Sequence, residues 1–386
     1  MLIIETMKMP EVYITKSAKF LPNNPISNEE MEEYLGMING VPSKGKGLTL
    51  RNNGIKTRYY AIDKQGRSTH SNAKMTALAI EQLMDKDFTQ NDLELLACGT
   101  TSPDNLLPSH AVMVHGELNC GPIELVSPSG ACCASMQSLK FAYNSILAGS
   151  TTNAVVTGSE KLSSLMRAEH FEKETERLAE MDKNPIISFE KDFLRWMLSD
   201  GAGALLLENK PRANSISLKI EWLDIKSYAN QFETCMYAGA DKNESGSTTG
   251  WKEYSSEEWL TKSVFAFKQD VKLLGKEIVP TGTKYLKEIL DKRGFDVTTI
   301  DYFLPHLSSE FFRSKIAEEI LKYDIHIPQE KWFTNLSSIG NIGSGSIIMM
   351  VEELMNSGTL KSRQKILLMV PESARFTYAY CLLTVC

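Results

Sequence analysis

The sequence predicts an α/β fold built from two stacked, pseudo-symmetric halves. Apolar segments of strand length alternate with segments of helical periodicity, which is typical of this class. One order of features also occurs twice. In each half a strand ends, at Gly99 or at His306, and a second strand then meets a small-residue turn and a helix, at Cys133 or at Asn341. The separations are 34 residues (133 − 99) and 35 residues (341 − 306), which indicates a duplicated plan.

The first half is assigned to residues 1–210. Ser27 followed by Glu30 is typical of a capped helix start. Residues 162–198 are charged and aromatic without a clear period, so we expect an irregular insertion there. Strands are predicted at 11–20, 93–98, 123–126, 154–157 and 204–207, and helices after Ser27, over 71–84 and from 134 to a stop at 149.

The second half is assigned to residues 211–386. Residues 238–258 are rich in Gly, Ser, Thr and Asn, which favours a loop. Helices are predicted over 263–274, over 283–292 and from 347, and strands near 216–225 and at 302–304, 332–335, 366–370 and 376–385.

Composition excludes several classes of function. The chain has 386 residues, of which 42% are hydrophobic and 23% charged, as in an ordinary globular protein. The net charge of −6 argues against nucleic acid as a general partner. No apolar run approaches the roughly 20 residues that span a bilayer, and residues 1–10 lack the pattern of a signal peptide. We therefore expect a cytoplasmic protein that binds neither nucleic acid nor membranes.

The cysteines and glycines point to no metal or cofactor. Seven cysteines at irregular spacing are typical of reduced thiols rather than a disulfide framework. No CxxC pair occurs, so a structural zinc site is not expected. No glycine-rich phosphate loop opens a helix after a strand, so no nucleotide cofactor is expected either.

Two adjacent thiols lie at a predicted strand–turn–helix junction. Turn residues occupy 127–130, and the helical period begins at Ala134. Cys132 and Cys133 therefore fall at a helix N-terminus, where unpaired N–H groups and the helix dipole favour a thiolate. Small neighbours leave room for a substrate to approach the sulfur. The alternative is that both are small buried hydrophobic residues, a common environment for a free cysteine.

Three residues from the two halves form a candidate catalytic set. A thiolate at Cys133 is a nucleophile for acyl groups. His306, held by the preceding proline, can donate a hydrogen bond or shuttle a proton, and Asn341 can donate its amide N–H to an enolate or oxyanion. Each alone has a structural alternative, a core histidine or a turn asparagine. The matched spacing in the two halves favours the catalytic interpretation.

Seven short motifs, in order and over nearly the whole chain, resemble the β-ketoacyl-ACP synthase III branch of the thiolase-fold condensing enzymes. They are FLPNNPISNEEM at 20–31, GIKTR at 54–58, CGTTSPD at 98–104, ACCAS at 131–135, DGAG at 200–203, LPH at 304–306 and GN at 340–341. The resemblance implies a five-layer αβαβα fold. It implies that Cys133 rather than Cys132 takes an acyl group from CoA or acyl carrier protein. It also implies that His306 and Asn341 assist the second donor.

The resemblance extends to partners. The family is usually a homodimer, in which the segment around Leu107 reaches the partner's pocket. Relatives in an olefin pathway carry an acidic residue where this chain has Leu107, so their mechanism does not transfer. Carrier-protein recognition would need local positive charge, for which Arg313 and Lys315 are candidates, although a solvated helix face is the alternative.

The chain departs from simple initiating synthases in two places. The glycine-rich C-terminal strand of that branch is replaced by PESARF at 371–376, and the insertion at 162–198 is larger and more aromatic. Both features resemble the subgroup that condenses two fatty-acyl thioesters and closes a ring, giving dialkylcyclohexanedione precursors of dialkylresorcinols. Under that reading Glu372 is a candidate base for a β-ketoacyl thioester, or a group that holds Arg375. A structural ion pair between the two is the alternative.

Four functions remain open at this point. The first is the ring-forming ketosynthase, and the second is an initiating synthase that uses acyl-CoA and malonyl-ACP. The third is an acyltransferase of this fold that moves the acyl group to an alcohol, but Asn341 would then be expected to differ. The fourth is a non-catalytic partner subunit, which would lack the nucleophile, whereas this chain has Cys133.

Overall fold

A computed structural model describes residues 10–181 and 188–386. Its largest feature is a mixed nine-stranded sheet, and three two-stranded sheets accompany it. The strands are β1 Tyr13–Phe20, β2 Ile26–Ser27, β3 Thr57–Arg58, β4 Leu95–Thr100, β5 Glu124–Val126, β6 Asn153–Glu160, β7 Gly201–Glu208, β8 Leu218–Ser227, β9 Met236–Tyr237, β10 Ala240–Lys242, β11 Thr248–Gly250, β12 Lys268–Gln269, β13 Tyr302–Pro305, β14 Lys365–Glu372 and β15 Thr377–Val385.

Twelve α-helices are found in the described residues. They are α1 Met31–Leu35, α2 Lys46–Asn53, α3 Asn72–Glu81, α4 His110–Glu117, α5 Ala134–Leu147, α6 Glu169–Glu180, α7 Phe189–Asp192, α8 Ser256–Thr261, α9 Val271–Arg293, α10 Phe311–Leu321, α11 Leu336–Ile339 and α12 Ser346–Met355. No helix among the described residues is both long and apolar enough to cross a bilayer.

The strand order of the first half recurs in the second. The large sheet runs β5-β4-β6-β7-β1 and continues as β8-β15-β14-β13. In the first half β4 lies parallel to β5 and β6, and β7 lies antiparallel to β6 and β1. In the second half β13 lies parallel to β14, and β15 lies antiparallel to β14 and β8. The two runs meet where Tyr13 and Ile14 pair with β8, and Ile220 N–H of β8 donates to Val12 O at 2.9 Å beside this pairing.

Helices separate the two runs of strands into layers. α3 and α4 cover the outer side of the first run, and α9 and α10 cover the outer side of the second. α5 contacts β4, β6 and β8, while α12 contacts β1, β7 and β13, so both helices lie between the runs. Three apolar clusters fill the spaces, one under each outer pair and one around α5 and α12. The α/β class and its thiolase-like layering are therefore confirmed.

The insertion at 162–198 is more regular than predicted. α6 and α7 lie within it, and Phe171 and Trp196 are buried. The helical period of α6, in which three of twelve residues are buried and most of the others are charged, was missed. Residues 182–187 of the predicted insertion lie outside the described residues.

The second half departs from the prediction in three places. Residues 238–258 contain the hairpin β10–β11 and the start of α8 rather than a loop alone. The helix predicted over 263–274 is wrong, because α9 begins only at Val271, where the side chain of Asp270 accepts from Leu273 N–H at 3.0 Å. The strand predicted at 332–335 is a single bridge between Trp332 and Phe303. The predicted boundary at 210/211 falls between β7 and β8.

Candidate active site

Two glycines allow α5 to begin close to its neighbouring strands. A Cβ atom on Gly99 in β4 would lie 2.4 Å from the carbonyl carbon of Ala134. One on Gly158 in β6 would lie 2.4 Å from the carbonyl oxygen of Ser344 and 2.8 Å from Cβ of Ser135. The N-terminus of α5 and the turn that follows Asn341 are therefore packed against the same pair of strands, as the duplicated plan predicts.

The Cys133 thiol does not face an open space. The residue is fully buried and belongs to the apolar cluster around α5 and α12. Its sulfur lies 3.3 Å from the carbonyl oxygen of Val370 and 3.6 Å from that of Thr377, and its single S–H can donate to either of them. In this geometry Cys133 has the buried environment that the sequence left open as an alternative, and its role as the nucleophile stays a prediction.

Cys132 and His306 instead line one cavity. The cavity has a volume of about 40 Å³, and its other walls are mostly apolar side chains of α9, α10 and β14. Cys132 is only partly buried, in contrast to Cys133. The structure thus brings a thiol of the first half together with the predicted imidazole of the second, but the thiol is that of Cys132.

His306 directly follows β13 and is 3% exposed. Its backbone N–H donates to Met369 O at 2.8 Å, which ties it to β14. Its Nε2 atom is buried and has no hydrogen-bond partner among the described residues. Burial lowers the pKa of His306 to about 4. The imidazole is therefore neutral at physiological pH and has a free ring nitrogen beside the cavity.

Asn341 lies outside the walls of that cavity. It is 5% exposed, and its side-chain oxygen accepts from Gly343 N–H at 3.0 Å. Its backbone carbonyl accepts from Ser199 N–H at 2.9 Å. Because the oxygen is held by the turn, the amide nitrogen is the end of this carboxamide that is left to donate to another group.

Burial, and not the helix dipole, decides the direction in which the pKa of the two thiols shifts. Burial raises the pKa of both Cys132 and Cys133, and the carboxylate of Glu372 adds to the rise in each. The negative charge of Glu160 raises the pKa of Cys132 further. The expected preference for a thiolate at rest is therefore wrong, and a proton must leave Cys132 as it reacts.

Glu372 binds the turn that carries the two thiols. It is 6% exposed, and its Oε2 atom accepts from Cys133 N–H at 2.9 Å and from Ala131 N–H at 3.1 Å. Burial raises the pKa of its carboxyl group, while these two hydrogen bonds oppose the rise. Arg375 is exposed and donates to Phe232 O at 2.9 Å. The expected contact between Glu372 and Arg375 is absent from the described ion pairs.

The two residues predicted to meet partners both lie at the surface. Leu107 is 87% exposed and Leu106 is 78% exposed, so the segment between β4 and α4 presents apolar side chains to solvent. Arg313 forms an ion pair with Glu310 at 2.5 Å and lies over the ring of Trp332. Part of its charge is therefore already balanced within the chain.

Sequence reasoning missed several cavity residues. Leu274, Ile278 and Val279 come from the part of α9 that was predicted with a break, so no common face was visible. Ser373 lines the cavity and follows Glu372 in the segment that departs from the family pattern, which was the available signal. No group of three or more metal-ligating side chains occurs among residues 10–181 and 188–386.

Two models of known protein families match this chain, one in each half. The family described as 3-oxoacyl-[acyl-carrier-protein (ACP)] synthase III C terminal matches residues 290–384, and the β-ketoacyl synthase N-terminal domain matches residues 122–213. Among curated proteins, the β-ketoacyl-[acyl-carrier-protein] synthase III of Clostridium perfringens is 25% identical over 355 residues, covering 90% of this chain and 92% of the relative. That of Chlorobaculum tepidum is 25% identical over 358 residues, covering 92% and 94%. The chain is an enzyme of the carbon–carbon bond-forming acyltransferase class, and it is similar to the β-ketoacyl-ACP synthases III.

Solved structures show the same fold for this condensing enzyme. AbyA1, a tetronic acid condensing enzyme, superposes with a TM-score of 0.76 at 19% identity, over 97% of this chain and 99% of that one. The 3-oxoacyl-[acyl-carrier-protein] synthase III of Aquifex aeolicus gives 0.69 at 20% identity, over 97% and 99%. A variant of Xanthomonas campestris OleA with bound lauric acid and lauroyl-CoA gives 0.72 at 17% identity, over 98% and 100%.

The matched regions contain the candidate residues of the condensing enzyme. The N-terminal match includes Cys132 and Cys133, and the C-terminal match includes His306, Asn341 and Glu372. Such enzymes are acyltransferases that form carbon–carbon bonds.

Proposed function

We propose that this enzyme condenses two acyl thioesters through an acyl group carried on Cys132. The observation that carries the proposal is the cavity shared by the Cys132 thiol and the neutral His306 imidazole. Its walls are mostly apolar, which suits a fatty-acyl chain. The volume of about 40 Å³ is small, so a long chain requires the lining side chains to move.

In the first step the sulfur of Cys132 attacks the carbonyl carbon of the first thioester. The carbon–sulfur bond to the donor breaks, and CoA or carrier protein leaves as a free thiol. The proton of Cys132 passes to that leaving sulfur, with Nε2 of His306 as the relay, because this atom accepts from no other group in residues 10–181 and 188–386. The raised pKa of Cys132 makes this transfer part of the reaction rather than a step that precedes it.

In the second step a carbanion of the other thioester attacks the acyl carbonyl on Cys132. The carbanion forms when Nε2 of His306 takes the proton from the carbon between the two carbonyls of that thioester. A carbon–carbon bond then forms, the bond to sulfur breaks, and the same proton passes from His306 to the sulfur of Cys132. We assign to Asn341 a hydrogen bond from its amide nitrogen to the enolate oxygen, since its side-chain oxygen is held by Gly343 N–H. The loop of Asn341 would have to approach the cavity for this contact.

The second thioester is proposed to be a β-ketoacyl compound whose condensation ends in ring closure to a dialkylcyclohexanedione. Support comes from the charged segment at 371–376 and the ordered, aromatic insertion, both of which depart from simple initiating synthases. The likeness in fold to AbyA1 and OleA is compatible with it. The alternative remains an initiating synthase. Consumption of malonyl-ACP with release of CO₂ would support that alternative.

The choice of nucleophile is tested by mass spectrometry after incubation with acyl-CoA and with acyl carrier protein. We expect the acyl adduct on Cys132 in the wild type and in Cys133→Ala, and no adduct in Cys132→Ala. The reason is that only the Cys132 thiol lines the cavity. Loss of the adduct in Cys133→Ala alone would return the role to Cys133. An adduct on neither cysteine with any acyl thioester would overturn the proposed function.

A further inference from the structure

Two buried carboxylates occupy equivalent positions in the two halves. Glu160 ends β6, the strand that follows α5, and Glu372 ends β14, the strand that follows α12. Glu160 is fully buried and Glu372 is 6% exposed. Burial raises the pKa of both carboxyl groups. Burying such groups is unfavourable unless they are well hydrogen-bonded, so their partners indicate what they do.

Each carboxylate binds the turn of the opposite half. Glu372, from the second half, accepts from the backbone N–H groups of Ala131 and Cys133, just before α5. Glu160, from the first half, accepts from Ser344 N–H at 3.2 Å and from the Ser344 hydroxyl at 2.8 Å, just before α12. The backbone groups involved lie at helix N-termini, which require such acceptors.

We propose that Glu160 and Glu372 form a reciprocal clamp in which each half positions the catalytic turn of the other. Glu372 is then a positioning residue for the Cys132 thiol, and Glu160 one for the loop of Asn341. The catalytic consequence rests on the proposed function, whereas the clamp itself does not. The clamp explains how a chain with its thiol and its imidazole in different halves holds both at one cavity.

The contacts of Glu372 favour positioning over proton abstraction. Its side chain is not among the cavity walls, although its neighbours Pro371 and Ser373 are. Both backbone N–H groups donate to the same oxygen, Oε2. A glutamine can place its single carbonyl oxygen there and keep both hydrogen bonds while losing the charge. A methionine of similar length keeps the volume and loses both bonds.

Glu160 differs from Glu372 in that hydrogen bonds to other residues occupy both of its carboxylate oxygens. Oε1 accepts from Thr101 and Ser344, and Oε2 accepts from the Ser102 hydroxyl at 2.6 Å. A glutamine at position 160 therefore turns an NH₂ group toward one of these donors. We expect Glu160→Gln to disturb its turn more than Glu372→Gln disturbs the turn of Cys132.

The test uses Glu372→Gln, Glu372→Met and Glu160→Gln, with thermal melting to verify that each variant is folded. Hydrogen exchange is followed on peptides that cover residues 127–136 and 340–348. We expect Glu372→Met to increase exchange at 127–136, Glu372→Gln to leave it unchanged, and Glu160→Gln to increase exchange at 340–348 only. Unchanged exchange in both Glu372→Met and Glu160→Gln would overturn the clamp.

The rate of Cys132 acylation is the second readout. We expect it to fall about tenfold or more in Glu372→Met and to stay within about threefold of wild type in Glu372→Gln. If Glu372→Gln acylates normally but forms no product, Glu372 is a base and its positioning role is overturned. If wild type loads no acyl thioester, the proposed function fails, and the exchange data still decide the clamp.

Discussion

At the scale of single residues, burial sets the charge of His306. Its ordinary pKa of 6.5 falls to about 4 in the fold, and burial is the cause. Between these two pH values the unfolded chain binds a proton that the folded chain does not bind. The free energy of unfolding therefore decreases as pH falls from 6.5 towards 4. The loss from His306 amounts to about 2 kcal/mol at pH 5.

We expect this loss in a comparison of wild type with His306→Asn. Urea denaturation at pH 7.5 and at pH 5 should show that wild type loses about 2 kcal/mol more than the variant. The comparison with the variant is needed because the pKa of His110 also falls to about 4 on burial, and the carboxyl pKa of Asp200 is raised. Equal losses in both proteins would show that His306 titrates normally in the folded state.

At the scale of elements, β4 positions α5 through Gly99. A Cβ atom there would lie within 2.6 Å of three backbone atoms of Ala134 and Ser135, which have no flexible end to move. We expect Gly99→Ala to lower the free energy of unfolding by about 2–3 kcal/mol and to slow acylation of Cys132, because α5 must shift.

The matched control is Gly116→Ala in α4. Nothing lies within 4 Å of a Cβ at that position, and alanine favours a helix more than glycine does. Gly116→Ala should leave the free energy of unfolding unchanged or raise it by up to about 1 kcal/mol. Chemical denaturation measures both variants. A similar, small effect of the two changes would mean that β4 and α5 are not closely packed.

The sequence predicts best those helices and strands whose residue pattern is clear within a short segment. The strand and helix around Cys133 were predicted within a few residues, because an apolar run, a turn and a helical period follow one another there. α9 was predicted in two pieces, because Pro280 lies inside it and its start depends on the cap at Asp270. Tertiary packing, with Tyr378 and Tyr380 donating to carbonyls of this helix, is invisible in a local window.

The candidate site was predicted in part. The spacing in the two halves predicts that His306 meets a thiol of the first half, and His306 and Cys132 do line one cavity. The catalytic role of His306 stays a prediction. The resemblance implies Cys133 as the nucleophile, whereas the cavity favours Cys132, so the choice between the two thiols stays a prediction. Neighbouring residues at a helix N-terminus point in different directions, so one faces the core and the other the cavity. Which of them faces the cavity depends on the φ and ψ angles of the turn.

At the scale of the whole molecule, no strand in the described part of the chain pairs with one edge of the duplicated sheet. β5 ends the nine-stranded sheet, and the apolar segment of Leu106 and Leu107 is exposed. An unpaired edge strand and exposed apolar side chains both favour association. Together with the resemblance to homodimeric enzymes, these features lead us to propose that two copies associate through this region.

Analytical ultracentrifugation of wild type, Leu107→Glu and Leu321→Glu tests this association. We expect the wild type to sediment as a dimer and Leu107→Glu to shift towards the monomer, because burying a carboxylate in an apolar contact is unfavourable. Leu321 is 53% exposed at the end of α10, on an outer helix layer, so Leu321→Glu should remain dimeric. Dimers of equal stability in all three proteins would place the interface elsewhere. A monomeric wild type would contradict the proposed association.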